Sequence, residues 1–180
     1  VHMKLVGDAH LIKCPFSRYF TSVCAILGDE IVLIDSGIPS SPDEAILPYL
    51  EALGRKPEEI AYVILTHGHF DHCGGARLLK ERFSAKVILH ELDRPYLEDA
   101  SLVDRELNAR FGFPLAKQAQ FQSTSADITV NDGDTLQVAG HELAFLHLPG
   151  HSPGSMAVVD RELSLYVAGD SPQGKGAGRP

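Results

Sequence analysis

The sequence contains no tryptophan, only three cysteines, and no apolar segment long enough to cross a membrane. Cys14, Cys24 and Cys73 are odd in number and do not indicate a disulfide framework, so we expect reduced thiols and a cytoplasmic location. The N-terminal residues also lack the apolar core of a secretory signal. Together these absences argue against a secreted, disulfide-stabilised or membrane-bound protein.

Basic residues are in short supply as well, with 16 Lys and Arg against 24 Asp and Glu and a formal net charge of −8. This balance disfavours sequence-independent binding to nucleic acid and favours a small-molecule substrate. At 180 residues and 44% hydrophobic content, the chain can bury the core of one domain. We expect that domain to span residues 1–180, with a motif-bearing core over 3–170 and a flexible tail over 171–180.

A dense group of metal-ligand side chains follows the apolar run 61–65. It comprises His67, His69, Asp71 and His72, and residues two apart in an extended segment project to the same side. His67 and His69 can therefore converge on one ion, while Asp71 and His72 turn toward a neighbouring one. The spacing predicts two adjacent metals; the alternative is a polar loop whose histidines hydrogen-bond to the backbone.

Two later segments each present one metal-competent side chain after an apolar run. His151 lies in a Pro-Gly-His turn after residues 143–146, and Asp170 follows residues 163–168. Each pattern predicts a strand that ends in a turn, and neither would indicate a metal site alone. Cys73, beside the histidine motif, is more typical of a small buried hydrophobic residue than of a ligand.

These motifs, together with the earlier segment Ile34-Asp35-Ser36-Gly37, resemble the metallo-beta-lactamase-fold hydrolase superfamily. The short Thr-His-Gly-His-Phe-Asp-His form is more similar to the glyoxalase II-like hydrolases than to the lactamases proper. The resemblance implies an α/β fold, a four-layer αββα sandwich in which two sheets face each other and helices cover the outside.

The same resemblance implies a role for each of the six candidate ligands. One metal would be held by His67, His69 and His151, a second by Asp71 and His72, and Asp170 would bridge the two. The implied cofactors are two zinc ions, although His and Asp ligands also accept iron or manganese. Asp71 would in addition be catalytic, because its free oxygen can orient the nucleophile.

Two further residues would support the ligands. Asp35 would hold the segment 66–72, called the metal loop below, by hydrogen bonds, or would be only a turn residue at the end of a strand. His147 matches a histidine that family members carry four residues before the isolated ligand, and we expect it either to support a ligand by hydrogen bonds or to be structural, rather than to bind the metal.

The sequence departs from the family near its C-terminus. Dinuclear members supply one more histidine after the bridging aspartate, but this chain ends ten residues past Asp170 without one. The elements that complete the second sheet should lie beyond the C-terminus, so we expect an incomplete fold, from truncation or natural shortening. An exposed inner sheet face would favour association into a homo-oligomer.

Three functions are compatible with these motifs. The first is a metal-dependent hydrolase that uses a metal-activated water on a small ester, thioester or lactone. The second is a persulfide dioxygenase with mononuclear iron on His67, His151 and Asp170. The third is a truncated, non-catalytic metal-binding protein.

Periodicity predicts alternating strands and helices. Strands are expected at Leu5–Ile12, Ser22–Leu27, Ile31–Ile34, Lys86–His90, Ile128–Val130 and Thr135–Val138, and helices at Asp43–Leu53 and Ala76–Phe83. The stretch from Leu92 to Gln122 should be irregular to helical. Its Arg105, Arg110, Phe111 and Phe113 are either substrate contacts or part of a packed helix face with solvated charges. His141, in a turn after Gly140, should be exposed.

Overall fold

Two β-sheets packed face to face organise the computed structural model, which describes residues 2–112 and 120–171. The larger sheet has seven strands in chain order: β1 (Met3–Val6), β2 (Ala9–Phe16), β3 (Tyr19–Leu27), β4 (Ile31–Ile34), β5 (Ile60–Ile64), β6 (Lys86–His90) and β7 (Ile128–Val130). The smaller sheet has four strands in the order β11-β10-β9-β8: β8 (Thr135–Val138), β9 (His141–His147), β10 (Met156–Asp160) and β11 (Leu165–Val167).

The larger sheet is antiparallel from β1 to β4 and parallel from β4 to β7. Parallel strands covered on both faces are apolar at nearly every position, and all four residues of β4 are buried. The carboxyl ends of parallel strands meet at one edge of the sheet. Asp35 follows β4 at this edge, the loop 65–69 follows β5, and His90 ends β6.

Helices connect the parallel strands. After β4, a π-helical turn (Pro42–Ile46) leads into α1 (Leu47–Ala52). Helices α2 (Phe70–Cys73) and α3 (Ala76–Phe83) follow β5, and helices α4 (Arg94–Glu98) and α5 (Ala100–Phe111) follow β6. Two 3-10 turns cover Pro57–Glu59 and Glu91–Asp93. Gly112 ends α5 in the left-handed conformation, with φ of 76°, which costs glycine no side-chain clash.

The larger sheet separates two hydrophobic cores. One core lies between this sheet and the helices, where Leu33 and Val63 pack with Ile46, Leu50 and Leu79. The other lies between the two sheets and joins side chains of both: Ile26, Val32, Ile64, Ile88, Leu143, Phe145, Met156 and Val158. Burial of apolar surface on both faces, at about 25 cal/mol per Å², holds the sheet in place and fixes the position of its edge.

The structure confirms most predicted elements and corrects the first strand. Strands β4, β6, β7 and β8 and helix α3 have the predicted bounds. Leu5–Ile12 is two strands rather than one, because Gly7 turns the chain with φ of 51° and β1 pairs back on β2. Strand β3 begins at Tyr19, three residues earlier than predicted, since pairing with β2 extends it.

The expectation that His141 is exposed is wrong. Its side chain is 15% exposed, and its Nδ1 lies 2.7 Å from a carboxylate oxygen of the buried Asp160. Asp160 also accepts a hydrogen bond from the Leu163 amide. The contact joins the first residue of β9 to the last residue of β10, and the polarity of the local sequence does not reveal it.

Two large apolar side chains are exposed on the outer face of the smaller sheet. Leu146 on β9 is 41% exposed and Tyr166 on β11 is 48% exposed. In the same described residues, none of the helices has the length and apolar composition required to cross a membrane.

Candidate metal centre

The histidine motif begins where β5 ends, at the junction of the two sheets. The Leu65 amide donates to the carbonyl of Ile88 on β6, and the Met156 amide donates to the carbonyl of Thr66 at 2.9 Å. The backbone before His67 is therefore bound on one side by the larger sheet and on the other by the first residue of β10. These two hydrogen bonds fix the position at which the metal loop begins.

Three of the predicted ligands form a first donor group. The ligand nitrogens of His67, His69 and His151 all lie within 4.8 Å of one another. The Nδ1 of His69 and the Nε2 of His151 are 2.9 Å apart, and the ring of His67 stands nearly perpendicular to both. Residues 82 positions apart in the chain thus direct ring nitrogens at one point.

A second donor group shares His67 with the first. The ligand atoms of His67, His72 and Asp170 also lie within 4.8 Å of one another, and His72 Nε2 is 3.3 Å from Asp170. The other Asp170 oxygen is 3.6 Å from His151 Nε2, so this carboxylate lies between the two groups. Asp71 lies outside both groups but lines the cavity beside His72 and Asp170.

Asp35 connects the supporting residues of both groups. One oxygen accepts hydrogen bonds from the Thr66 amide and hydroxyl, and the other lies 2.7 Å from His72 Nδ1. The residue has φ of 67°, and the next amide, that of Ser36, donates to the His72 carbonyl. Asp35 therefore holds the metal loop by hydrogen bonds, the first of the two roles considered from sequence.

Hydrogen bonds also determine which nitrogen of His67 is available. A carboxylate only accepts, so the Thr66 hydroxyl donates to Asp35, and the Thr66 oxygen, 3.2 Å from His67 Nδ1, then accepts the Nδ1 proton. The lone pair of His67 is left on Nε2. That atom is buried and has no hydrogen-bond partner in the described structure.

Electrostatics favour neutral imidazoles at His67 and His69. Burial, with repulsion from neighbouring histidines, holds the pKa of His67 well below 6.5 and lowers the pKa of His69 to about 4. Burial would also lower the pKa of His72, but Asp35 and Asp170 outweigh it and raise that pKa well above 6.5. A hydrogen bond from His72 lowers the pKa of Asp170, which is ionised at neutral pH.

These features fit a bound cation. Burying an unpaired polar atom costs roughly 1–3 kcal/mol unless a partner is supplied, and His67 Nε2 is such an atom. Uncharged imidazole nitrogens and an ionised carboxylate are the donors that zinc and similar divalent metals prefer.

A cavity of about 400 Å³ opens beside the second donor group. Its polar wall contains Asp71, His72 and Asp170, and its apolar wall contains Leu5, Leu11, Phe20, Leu165, Tyr166 and Val167. The apolar wall comes from β1 to β3 on one side and β11 on the other. The cavity can therefore receive an apolar group next to the metal-ligand side chains.

The remaining candidates from sequence lie apart from the donor groups. His147 stacks on His90 with ring centroids 4.2 Å apart and contacts the Pro153 carbonyl through Nε2, a structural role. The buried Cys73 thiol donates to the Gly68 carbonyl. Arg105 is 66% exposed and contacts Asp99 and Ser101. The side chains of Arg110 and Phe111, and the whole of Phe113, lie outside the described residues.

One residue that contacts both ligand segments was missed from sequence. Asp93 is fully buried and accepts hydrogen bonds from Gly68 in the metal loop and from Ser152 and Gly154 beside His151. An isolated aspartate after a short turn carries no distinguishing sequence signal. A fully buried carboxylate is recognisable only when its partners in other elements are known.

Two facing sheets with imidazole and carboxylate donors collected at one edge define a metal-binding α/β sandwich. The family model described as the metallo-beta-lactamase superfamily matches residues 19–171, and the chain belongs to this superfamily. The predicted fold and family are thereby confirmed.

Curated relatives are similar over most of this chain. The probable metallo-hydrolase YqgX of Bacillus subtilis is 29% identical over 81% of this chain and 62% of its own length. The hydroxyacylglutathione hydrolase GloC of Haemophilus influenzae is 29% identical over 84% and 66%, and the human acyl-coenzyme A thioesterase MBLAC2 is 27% identical over 79% and 54%. The chain thus spans between about half and two thirds of the length of these relatives.

The fold is also similar to that of solved structures. The subclass B3 metallo-beta-lactamase BJP-1 of Bradyrhizobium japonicum superposes with a TM-score of 0.72 at 24% identity, covering 88% of this chain and 56% of that one. At this identity the likeness shows the fold alone. The fold class predicted from sequence therefore holds, with the present chain corresponding to just over half of the lactamase.

Proposed function

We propose that this protein is a metal-dependent hydrolase that cleaves a thioester or ester bond in a small molecule. The observation that carries the proposal is the buried Nε2 lone pair of His67, which has no partner among residues 2–112 and 120–171 and belongs to both donor groups. A metal ion is the partner that this atom and its neighbours would best accommodate.

The proposed ligands follow the two donor groups. His67, His69 and His151 would hold one metal; Asp71 and His72 would hold the second, with Asp170 bridging. Support comes from the position of the Asp170 carboxylate between the groups and from Asp71 on the wall of the adjoining cavity. Two zinc ions are the proposed cofactors, and iron or manganese would suit the same ligand types.

When bound, such metals supply an activated water and polarise the carbonyl that the water attacks. The protein's own residues would prepare this reaction in three ways. Asp35 orients His72, Asp71 offers a carboxylate that accepts a hydrogen bond from the nucleophile, and Leu5, Phe20 and Tyr166 line the adjacent cavity with apolar surface on which part of a substrate can bind.

Two relatives support a thioester in particular. GloC is a hydroxyacylglutathione hydrolase and MBLAC2 is an acyl-coenzyme A thioesterase, and both names describe an acyl group attached to a thiol carrier. The apolar wall of the cavity suits the acyl portion of such a substrate. A small ester or lactone would present the same carbonyl.

Metal content is the first test. Elemental analysis of protein purified without added metal should give about two zinc ions per chain. One iron ion would instead favour the dioxygenase, although His67, His151 and Asp170 do not together form one of the donor groups. Absence of metal after reconstitution would overturn the hydrolase proposal.

Turnover is the second test. Release of thiol from an acyl-coenzyme A and from an S-(2-hydroxyacyl)glutathione should be measured for the wild type and for His67→Ala. The variant should fall to background. His2→Ala is the matched control, because His2 is exposed and belongs to neither donor group. Equal activity of wild type and His67→Ala would contradict the proposal.

We also propose a cytoplasmic location. It is supported by three buried cysteines that are all free thiols, Cys14, Cys24 and Cys73. Immunodetection of the protein in the oxidising compartment of fractionated cells would contradict it.

A further inference from the structure

Asp93 forms a buried link between two segments that are far apart in the chain. Its Oδ2 accepts from the Gly68 amide at 2.8 Å and from the Ser152 hydroxyl at 2.6 Å, and its Oδ1 accepts from the Gly154 amide at 2.6 Å. The side chain is fully buried, and all three donors are uncharged. A buried carboxylate is costly to desolvate, so three short hydrogen bonds are what make it tolerable.

The backbone around Asp93 also fits closely against both segments. A Cβ added to Gly68 would lie 2.6 Å from Tyr96 Cβ and 3.2 Å from the Asp93 carbonyl oxygen. A Cβ added to Gly154 would lie 2.6 Å from the Asp93 nitrogen. The two backbone donors, Gly68 and Gly154, are therefore glycines at points where the chain around Asp93 leaves no room for a side chain.

These two segments carry the whole first donor group. Gly68 lies between His67 and His69, and the turn with Ser152 and Gly154 follows His151 directly. The first segment follows β5 in the larger sheet, whereas the second joins β9 to β10 in the smaller sheet. Their relative position determines whether the three imidazoles can meet at one ion.

We propose that Asp93 is a positioning residue that sets the spacing between the His67–His69 loop and the His151 turn. The inference rests on the proposed metal site, since its consequence is the geometry of the first donor group. Asp93 belongs to neither donor group; it acts through the amides of Gly68 and Gly154 and the hydroxyl of Ser152, which lie next to the ligands. Carboxylates and carbonyls that orient metal ligands in this way typically change metal affinity by about 10- to 100-fold when removed.

The link through Asp93 requires a carboxylate, because both of its oxygens accept hydrogen bonds. An asparagine has one acceptor oxygen and one NH₂ group, so Asp93→Asn cannot keep all three hydrogen bonds. With its oxygen in the place of Oδ2 it keeps Gly68 and Ser152 but turns an N–H toward the Gly154 amide; in the opposite orientation it keeps Gly154 and turns an N–H toward the Gly68 amide. In either orientation Asp93→Asn removes the backbone hydrogen bond to one of the two ligand segments with little change in volume.

The test compares Asp93→Asn with Asp160→Asn. Asp160 is an equally suitable buried carboxylate, bonded to His141 and the Leu163 amide but remote from the donor groups. Zinc affinity should be measured by competition with a chromophoric chelator, and the visible spectrum recorded with cobalt. Asp93→Asn should bind zinc about 10- to 100-fold more weakly and alter the cobalt spectrum, whereas Asp160→Asn should bind like the wild type.

Amide hydrogen exchange of the metal-free protein supplies a readout that needs no metal. Exchange at Gly68 or Gly154, whichever amide loses its acceptor, should accelerate at least tenfold in Asp93→Asn, and exchange at both should remain unchanged in Asp160→Asn. If Asp93→Asn does not fold, Ser152→Ala removes one of the three hydrogen bonds and should weaken zinc binding by a smaller factor in the same direction.

The outcomes separate the two proposals. If the wild type binds no metal, the proposed function fails, while exchange at Gly68 and Gly154 still tests the link through Asp93. If the wild type binds zinc and Asp93→Asn, or Ser152→Ala in its place, binds it within twofold, the positioning role is overturned. An equal loss of affinity in Asp160→Asn would overturn it as well, because the effect would then be general destabilisation.

Discussion

The Nδ1 of His72 lies 2.7 Å from a carboxylate oxygen of Asp35, a residue 37 positions earlier in the chain. Because a carboxylate accepts hydrogen bonds, this contact places a proton on Nδ1 and directs Nε2 toward Asp170. Between two carboxylates His72 also carries a proton on Nε2, since its pKa is raised well above 6.5, and a metal ion that displaced this proton would meet the Nε2 lone pair. Asp35 thus selects the tautomer that a metal ligand needs without lying in the donor group itself.

Removal of the Asp35 carboxylate should destabilise the protein. Asp35→Ala would leave His72 Nδ1 and the Thr66 amide and hydroxyl without their partner in a buried environment. We expect a loss of about 2–4 kcal/mol in the free energy of unfolding, measured by urea denaturation. The exposed Asp29→Ala should change it by less than about 0.5 kcal/mol. Equal midpoints for the two variants would contradict this role.

Loss of the bridging carboxylate should affect metal content more than folding. Asp170 has a side chain that is 48% exposed, so Asp170→Asn should keep a thermal midpoint within a few degrees of the wild type. Metal content should fall by about one ion per chain and thioester hydrolysis by at least about 100-fold. A metal-replete, fully active Asp170→Asn protein would exclude Asp170 as a ligand.

Acidification should destabilise the metal-free protein through His69. Its pKa falls from 6.5 to about 4 on folding, through burial and repulsion by His151. The unfolded state therefore binds more protons between these values, and stability declines as the pH is lowered through this window. His72 has the opposite sign, because its raised pKa adds stability below pH 6.5 that is lost as the pH rises through the folded value.

His69→Gln provides the check on this assignment. Urea midpoints of metal-free wild type and His69→Gln should be compared from about pH 7 to pH 4.5. The variant should show a flatter decline, because glutamine does not titrate. Parallel curves for the two proteins would mean that other groups cause the acid sensitivity.

Substitution of His141 should lower stability without changing metal content. His141 was predicted to be exposed, but it contacts the buried Asp160 carboxylate. His141→Ala should cost about 1–3 kcal/mol in the free energy of unfolding, because that carboxylate loses a partner. Elemental analysis should give the same number of ions as in the wild type. A loss of metal would show that His141 supports the ligands.

The close approach at Gly68 predicts a steric effect. The added methyl group of Gly68→Ala would lie 2.6 Å from Tyr96 Cβ, which forces the metal loop to shift. We expect at least a tenfold loss of zinc affinity, measured by chelator competition. Gly28→Ala is the matched control, because its nearest neighbours are 3.6 Å from the added atom. Indistinguishable affinities would show that the loop accommodates the methyl group.

Local sequence patterns predicted the elements that depend on local periodicity and capping. Strands β4 and β6 and helix α3 have the predicted bounds, because their apolar spacing matches the geometry of a buried strand or an amphipathic helix. The division of Leu5–Ile12 was missed although Gly7-Asp8 is the two-residue turn of a local hairpin, because the residues on either side of that turn were taken as one strand. Turns of this kind depend on which strands pair as well as on the residues within them.

For the candidate site, the residue types within the His67–His72 motif were sufficient to indicate metal chemistry, because several imidazoles and a carboxylate so close in sequence must crowd in space. The motif did not reveal that His67 belongs to two donor groups, that Asp71 lies outside both, or that Asp93 connects the metal loop to the His151 turn. Among these relationships, Gly68 and Asp93 are 25 positions apart in the chain, and His67 and Asp170 are 103 positions apart. They arise from the packing of two sheets around a shared core, which brings loop ends together irrespective of their order in the chain.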